Sequence, residues 1–445
     1  MSMPTSPDRT GCLIAGGGPA GMMLGLLLAR AGVDVTVMEK HADFLRDFRG
    51  DTVHASTLRN LDELGLGPAF AAVPHRLIDT ISMSVQGTPV NVDLRHLPGR
   101  HQHIALVPQW DFLELLATAA EAEPSFTLLR STEVLGPLRS GGAVTGVRYR
   151  DARGEHELRA DLTVACDGRG STLRDGMGLV PKAFGAPMDV WWFRLPRAEG
   201  DPHGLAGVLG TGHAMIVIDR GDYYQCAYVI PKGSDARLRA EGIDALHRGV
   251  VELVPWLADR IGTLTDFADV KLLDVQLNRL RRWYADGLLL IGDAAHAMSP
   301  VGGVGINLAV ADAVAAGRML ADPLRAGRVT TRELARVQAR RWVPTALIQG
   351  VQRGIHATVI ARAVGGADNP ATVGGADNPA TVGGADNPAT VGGADNPATV
   401  GGADNPGTSP AAVRMVARIP LLRSIAGYGV AIGPLPEHVP AFARR

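Results

Sequence analysis

Cys12-Leu13-Ile14-Ala15-Gly16-Gly17-Gly18-Pro19-Ala20-Gly21 opens the stretch whose reading decides the fold, and the stretch closes at Glu39. A short apolar run leads straight into glycines. Met22 to Ala29 continues as an apolar segment of helical length, Gly32 stands where a helix stops, and Val33 to Met38 is a second apolar run. The order is strand, tight turn, helix, strand. Gly16, Gly18 and Gly21 fill the G-x-G-x-x-G template, in which the glycines permit the turn, let backbone approach a pyrophosphate and bring helix close to sheet. Pro19 suits the first helical turn, and the free N–H groups there attract phosphate. Glu39, at the end of the second strand, is placed to accept hydrogen bonds from an adenosine ribose. A glycine-rich packing turn is the plainer alternative, and it leaves Glu39 without a role. Gly16 to Pro19 also interrupt the apolar run too early for a signal peptide or a membrane span.

A chain of 445 residues can bury a sizeable core and is expected to hold more than one domain. A net charge of −1 with scattered Lys and Arg argues against nucleic acid or an anionic membrane as partner, which leaves a small-molecule substrate. Cys12, Cys166 and Cys226 are far apart in sequence, so neither a disulfide framework nor a metal site is expected. No transmembrane stretch is evident, and the default location is cytoplasmic.

Beyond Glu39, Arg49 lies just ahead of a helical pattern from Ser56 to Leu66, within reach of a pyrophosphate. Alternation from Thr80 to Val92 predicts a hairpin. Ile104 to Pro108 reads as a strand before Gln109, and a helix follows to about Ala122. Phe126 to Val134, Val144 to Tyr149 and His156 to Arg159 read as an antiparallel set. Leu162 to Cys166 is an apolar strand without alternation, as in a parallel sheet, and it ends in Asp167-Gly168. From Met188 to Gly233 aromatic residues and a period of two predict a second, mainly antiparallel sheet; Trp192, Tyr223 and Tyr224 are candidates for a pocket that takes a flat ligand. The third acid-ended strand, Leu288 to Ile291, runs into Gly292-Asp293, and Pro300 to Asn307 then precede an apolar helix to about Leu320. Glycines there expose N–H groups at a helix start, where negative charge on a bound ring is stabilised.

With these three motifs in order, the chain resembles the flavin-dependent aromatic hydroxylases, the family of para-hydroxybenzoate hydroxylase, over most of residues 11 to 330. The resemblance implies an α/β fold: a Rossmann-like FAD-binding domain with an inserted, mainly antiparallel substrate domain. The FAD-binding domain would take residues 11–75, 101–180 and 275–330, and the substrate domain 76–100 and 181–274. It implies cofactor contacts from the fingerprint residues Gly16, Gly18, Pro19, Ala20 and Gly21 and from Lys40, with Glu39 on the adenosine ribose, Arg49 and Asp167 at the pyrophosphate, Gln109 at the ribityl region, and Gly292 and Asp293 at the ribityl or pyrophosphate end. Pro300, Gly303, Gly305, Ile306 and Asn307 would face the pyrimidine edge of the ring. It further implies NADH or NADPH as a transient co-substrate, dioxygen, and a C4a-hydroperoxide on the flavin that hydroxylates the substrate. The corresponding substrate strand here reads Arg220-Gly221-Asp222-Tyr223-Tyr224, and Asp222 is unsuited to a carboxylate. A phenolic or larger polycyclic aromatic is therefore expected over a simple benzoate. A reductase or oxidase on the same fold, or a non-catalytic flavin-binding protein, is the alternative. No hydrolase, zinc-protease or Walker motif is found.

Thr330-Thr331-Arg332-Glu333 reads as a capping box, starting a helix to about Val364 with a possible kink at Pro344. A nonapeptide, Gly365-Gly366-Ala367-Asp368-Asn369-Pro370-Ala371-Thr372-Val373, then recurs from Gly374, Gly383 and Gly392, with a variant from Gly401. It lacks the glycine and aspartate placement of calcium-binding β-rolls. One valine per unit cannot build a core, so residues 365–408 are expected to be a disordered expansion. Residues 409–445 would be a tail packed on the flavin domain.

Overall fold

The apolar runs marked as strands lie side by side and parallel. The computed structural model, which describes residues 9–45, 52–210, 213–364 and 411–445, places Arg9–Ala15 between Val35–Met38 and Gly154–Ala165. Leu288–Leu290 lies beyond Gly154–Ala165, and Phe126–Leu129 beyond Val35–Met38. All four contacts are parallel. Val35–Met38 and Leu288–Leu290 are buried throughout, which is why they carry no alternation. Ala15 stands opposite both Ala165 and Met38, and Ala165 opposite Leu290. Strands far apart in sequence therefore finish at one edge of one sheet.

The helix Pro19–Arg30 is buried at every position from Ala20 to Ala29, because it packs between Gln109–Glu121 and Gly305–Arg325 as well as on the sheet. A helix apolar all round belongs in an interior. One departure from the sequence reading concerns the strands around residue 160. Phe126–Leu129 is parallel to Val35–Met38, not part of an antiparallel set, and Gly154–Ala165 is one strand of 12 residues. Its first half alternates between exposed and covered positions against Ala143–Asp151, and its last four residues are buried. Two environments along one strand read as two strands.

A second sheet of seven strands runs in the order Lys271–Leu273, Met188–Pro196, Tyr223–Pro231, Ala214–Asp219, Leu205–Leu209, Thr80–Val85, Thr88–Asp93. Only the Leu205–Leu209 contact with Thr80–Val85 is parallel. Arg76–Ile78, at the start of the range expected for the substrate domain, pairs with Ile104–Leu106, as does Thr52–Val53. One face is covered by the helix Ile243–Leu253, whose Leu246, Val250 and Leu253 meet Trp191, Phe193 and Tyr224. The other face meets Val301 and the segment around Ile355 to Val364.

Thr330 and Glu333 do form a capping box, and the helix Thr331–Ile355 continues through a wider turn, His356–Ile360, to Val364. The tail does more than pack on the first sheet's domain. Val439 and Ala443 enter that core, while Gly427 lies against Val92 of the second sheet. Arg49 and the nonapeptide repeat lie outside the described residues.

Candidate active site

Because the parallel strands end in register, the fingerprint turn, Glu39, Asp167 and the Gly292-Asp293 turn emerge together at the carboxyl edge of the first sheet, where open α/β sheets bind ligands. Backbone bonds weld them: Gly16 N–H donates to Met38 O at 2.8 Å, Cys166 N–H to Ala15 O at 2.7 Å and Ile291 N–H to Ala165 O at 3.1 Å. Glu39 is buried, and its carboxylate accepts from the Gly17 and His41 N–H groups at 3.0 Å each. Lys40 beside it is exposed.

Two glycines of the motifs are demanded by neither backbone conformation nor protein neighbours. A Cβ on Gly18, the residue that caps the helix Pro19–Arg30, would meet nothing within 4 Å, and the same is true of Gly305 at the start of Gly305–Arg325. Both helix starts thus present N–H groups to open space that a ligand can approach closely, as FAD requires of its pyrophosphate and ring sites. Asp167 completes the fit. One carboxylate oxygen accepts from Leu173 N–H at 3.2 Å, the other is buried with no partner among the described residues, and burial raises the carboxyl above its ordinary value.

Asp293 is part-exposed, with Arg169 Nε 3.9 Å from its carboxylate. Gly292 packs tightly: a Cβ there would lie 3.3 Å from Ala20 and 3.5 Å from Ala309, so fingerprint helix, turn and third-motif helix meet at one point. Pro300 leads into Gly302 and Gly303, both at positive φ. Gln109 begins its own helix directly after Pro108. Ile306 is buried. The Asn307 side chain is consumed by protein: its Oδ1 accepts from His54 N–H at 2.9 Å and Thr57 Oγ1 at 2.7 Å, and its Nδ2 donates to Thr52 O and Gly303 O. Any ring contact it makes is therefore through backbone.

Several residues that hold this turn carry no sequence signal. Thr52 Oγ1 donates to Gly303 O at 2.8 Å from a strand only two residues long. Gln352, on the helix Thr331–Ile355, clamps Ser299 and Val301 through their backbone groups, and Gln349 does the same for Ala297. Of the pocket candidates, Trp192 and Tyr223 share the face that looks toward Val301, with Arg194 over the Tyr223 ring at 4.6 Å. Tyr224 does not join them. Alternation turns it to the far face, where it is 1% exposed, donates its hydroxyl to Pro202 O at 2.7 Å and meets Trp256 edge-on.

A family model described as an FAD binding domain matches residues 9–350. The 6-methylpretetramide 4-monooxygenase of Streptomyces rimosus is 34% identical over 76% of this chain and 81% of its own length. A 12-dehydrotetracycline 5-monooxygenase/anhydrotetracycline 6-monooxygenase of S. rimosus is 31% identical over 69% of this chain, which spans 62% of that protein. Among solved structures, a PqsL variant of P. aeruginosa superposes with a TM-score of 0.71 at 22% identity, covering 80% of this chain and 98% of that one, and speaks for the fold alone. Geometry and kinship agree, and the chain belongs to the FAD-binding monooxygenases of the aromatic hydroxylase family, the relatives of para-hydroxybenzoate hydroxylase.

Proposed function

We propose that this flavoprotein hydroxylates a phenolic, polycyclic aromatic small molecule, with NADH or NADPH as electron donor and dioxygen as oxidant. The observation that carries the substrate class is the inner face of the second sheet. One row across five neighbouring strands reads Trp192, Ala227, Ile216, Gly207, Met83 by register. Small residues alternate with large ones, and Met83 leans over Gly207, where a Cβ would meet its Cγ at 3.3 Å. The result is a level apolar surface, packed with Val301 of the glycine turn, that suits a flat fused-ring system. The relatives named for pretetramide and anhydrotetracycline support the same class.

FAD, when bound, supplies the electron transfer to dioxygen that closed-shell aromatics do not undergo directly. The chain's own residues bind and orient. Gly18, Ala20 and Gly21 would offer N–H groups to the pyrophosphate, while Gly16, whose N–H is held by Met38 O, shapes the turn and Pro19 opens the helix; Arg49 and Asp167 would also serve the pyrophosphate, and Glu39, with Lys40 next to it, the adenosine ribose. Gln109 would hold the ribityl region, and Gly292 and Asp293 the ribityl or pyrophosphate end. Backbone from Pro300 through Gly303, Gly305, Ile306 and Asn307 would hold the pyrimidine edge, where the start of a 21-residue helix stabilises negative charge. Trp192 and Tyr223 would line the aromatic side, and the apolar clusters that Trp192 joins exclude water.

The test is a library of fused-ring phenols screened for stimulated NADH and NADPH oxidation, with product from isotopically labelled dioxygen analysed by mass. One labelled oxygen atom per product is expected. Stimulated oxidation that yields only peroxide, or product without label, would overturn the hydroxylase reading.

A further inference from the structure

Among the ring nitrogens buried without a partner among the described residues are Nε2 of His54 and Nε1 of Trp192, both on residues that pack near the glycine turn. The first is an acceptor by elementary bookkeeping of protons. His54 Nδ1 lies 2.7 Å from Val430 O, and a carbonyl oxygen only accepts, so Nδ1 carries the hydrogen. The ring is 1% exposed, and burial keeps it neutral. Nε2 is then left with a bare lone pair. Nor is the ring loosely placed, because the His54 N–H is held by Asn307 and the neighbouring Thr52 by Gly303. The second atom is a donor only. Its neighbour in sequence, Trp191, faces the other side of the sheet and donates to Asp235 at 2.6 Å. The fold satisfies one indole of the pair and leaves the other.

Each unmet group costs about 1–3 kcal/mol when no water or ligand reaches it, and such groups are rare enough in native proteins to call for a reason. Here both border the same apolar cluster. Ala55, next to His54, packs there with Ile218 and Ala431, and Trp192, Ile216 and Val430 close over them. Trp192 also packs in the cluster that holds Val301 of the glycine turn. An apolar cluster edged by one unmet acceptor and one unmet donor matches a ligand that is itself apolar and carries one group of each kind.

We propose that His54 and Trp192 determine specificity: His54 Nε2 accepts from an aromatic hydroxyl of the substrate, and Trp192 Nε1 donates to a ring carbonyl oxygen. The favoured substrate is then a fused-ring aromatic that carries both a phenol and a ketone or quinone oxygen. The inference rests on the reading of the sheet face as the aromatic site.

The test uses FAD-loaded protein and three probes, 2-hydroxyanthraquinone, anthraquinone and 2-hydroxyanthracene, with binding followed through the flavin absorbance. Wild type should bind the first roughly tenfold more tightly than either of the others, the yield of one buried hydrogen bond. His54→Phe should erase the preference over anthraquinone and keep that over 2-hydroxyanthracene. Trp192→Phe should do the reverse, a crossed pattern that a merely structural role for either residue does not produce. Variants that hold FAD and keep both preferences would overturn the proposal. Should a variant fail to fold, indole N–H resonances of wild type decide the Trp192 half: one must shift with the two quinones and not with 2-hydroxyanthracene, and no such shift overturns it. Wild type that binds all three probes equally defeats this inference alone, whereas FAD-loaded wild type that binds none defeats the aromatic-site reading as well.

Discussion

Gly16 and Gly18 stand two positions apart and are kept by different forces. A Cβ on Gly16 would lie 2.4 Å from Cys166 O, and its φ of +101° is one that side-chain-bearing residues avoid, whereas Gly18 faces open space. Gly16→Ala should therefore cost the apo-protein roughly 2–4 kcal/mol of stability. Gly18→Ala should leave the apo melting curve in place and weaken FAD at least about tenfold, or about 1.4 kcal/mol. Thermal unfolding of the apo-proteins beside flavin titrations separates the two. His54 sets a pH dependence of its own. Burial lowers its imidazole from 6.5 to about 4, against the raising effect of the Val430 carbonyl. Between those values the unfolded chain binds a proton that the folded chain does not. The stability due to the neutral ring is thus complete above pH 6.5 and is lost as pH falls toward 4. In urea unfolding, the stability of wild type relative to His54→Phe should be roughly 2 kcal/mol lower at pH 5 than at pH 7. A constant difference would show that the ring is not buried neutral.

The helix Gly305–Arg325 is the element that binds the motifs into one unit. Asp312 on it is fully buried; one carboxylate oxygen faces His296 Nε2 at 2.6 Å and Gly292 N–H at 3.1 Å, and the other faces Arg341 Nε at 2.9 Å. Arg341 continues to Glu437 at 3.4 Å, which Arg318 and Arg340 also hold at 2.7 Å. Burial works to raise the Asp312 carboxyl, and His296 and Arg341 outweigh it, so the group stays below its ordinary value. Removing one partner from such a network leaves buried charge uncompensated, at about 3–5 kcal/mol. Arg341→Met should lose that much in urea unfolding with saturating FAD and should also loosen flavin binding, since Asp312 steadies the Gly292 turn. A loss below about 1 kcal/mol would show that the network contributes little.

At the scale of the whole molecule, the tail from Ala411 to Arg445 is a strap across both sheets. Val430 O accepts from His54, Ala443 O from Arg30 at 2.8 Å, and Val439 N–H donates to Glu63 at 2.7 Å. Truncation after Pro410 removes these contacts together with the Glu437 end of the buried network, and is expected to yield protein that does not retain FAD. Excising residues 374–391, two repeat units, is a different matter. Val364 and Val413 pack on one apolar cluster, so both ends of that connection are anchored without it. Shortening a connection by two units changes its closure entropy by less than about 1 kcal/mol. The flavin-to-protein absorbance ratio should therefore match full-length protein for the excision and fall toward zero for the truncation.

The sequence alone marked the three acid-ended strands of the first sheet and the glycine turns that follow them. Each acid-ended strand announces itself locally, because strands buried on both faces must be apolar without alternation, and phosphate-approaching turns must be glycine. The order of three such motifs then identified the family before any contact was known. Tertiary structure decided what depends on partners remote in sequence. Neighbouring tyrosines in a strand point to opposite faces, but which face looks toward the glycine turn is set by the helix Ile243–Leu253 covering one side, and this is what turned Tyr224 into core. The unused nitrogen of His54 follows from a carbonyl 376 positions away. The Asp312, Arg341 and Glu437 network joins three segments whose charges read in sequence as ordinary helix and tail residues. Burial and hydrogen-bond satisfaction are properties of the assembled packing, and no local pattern encodes them.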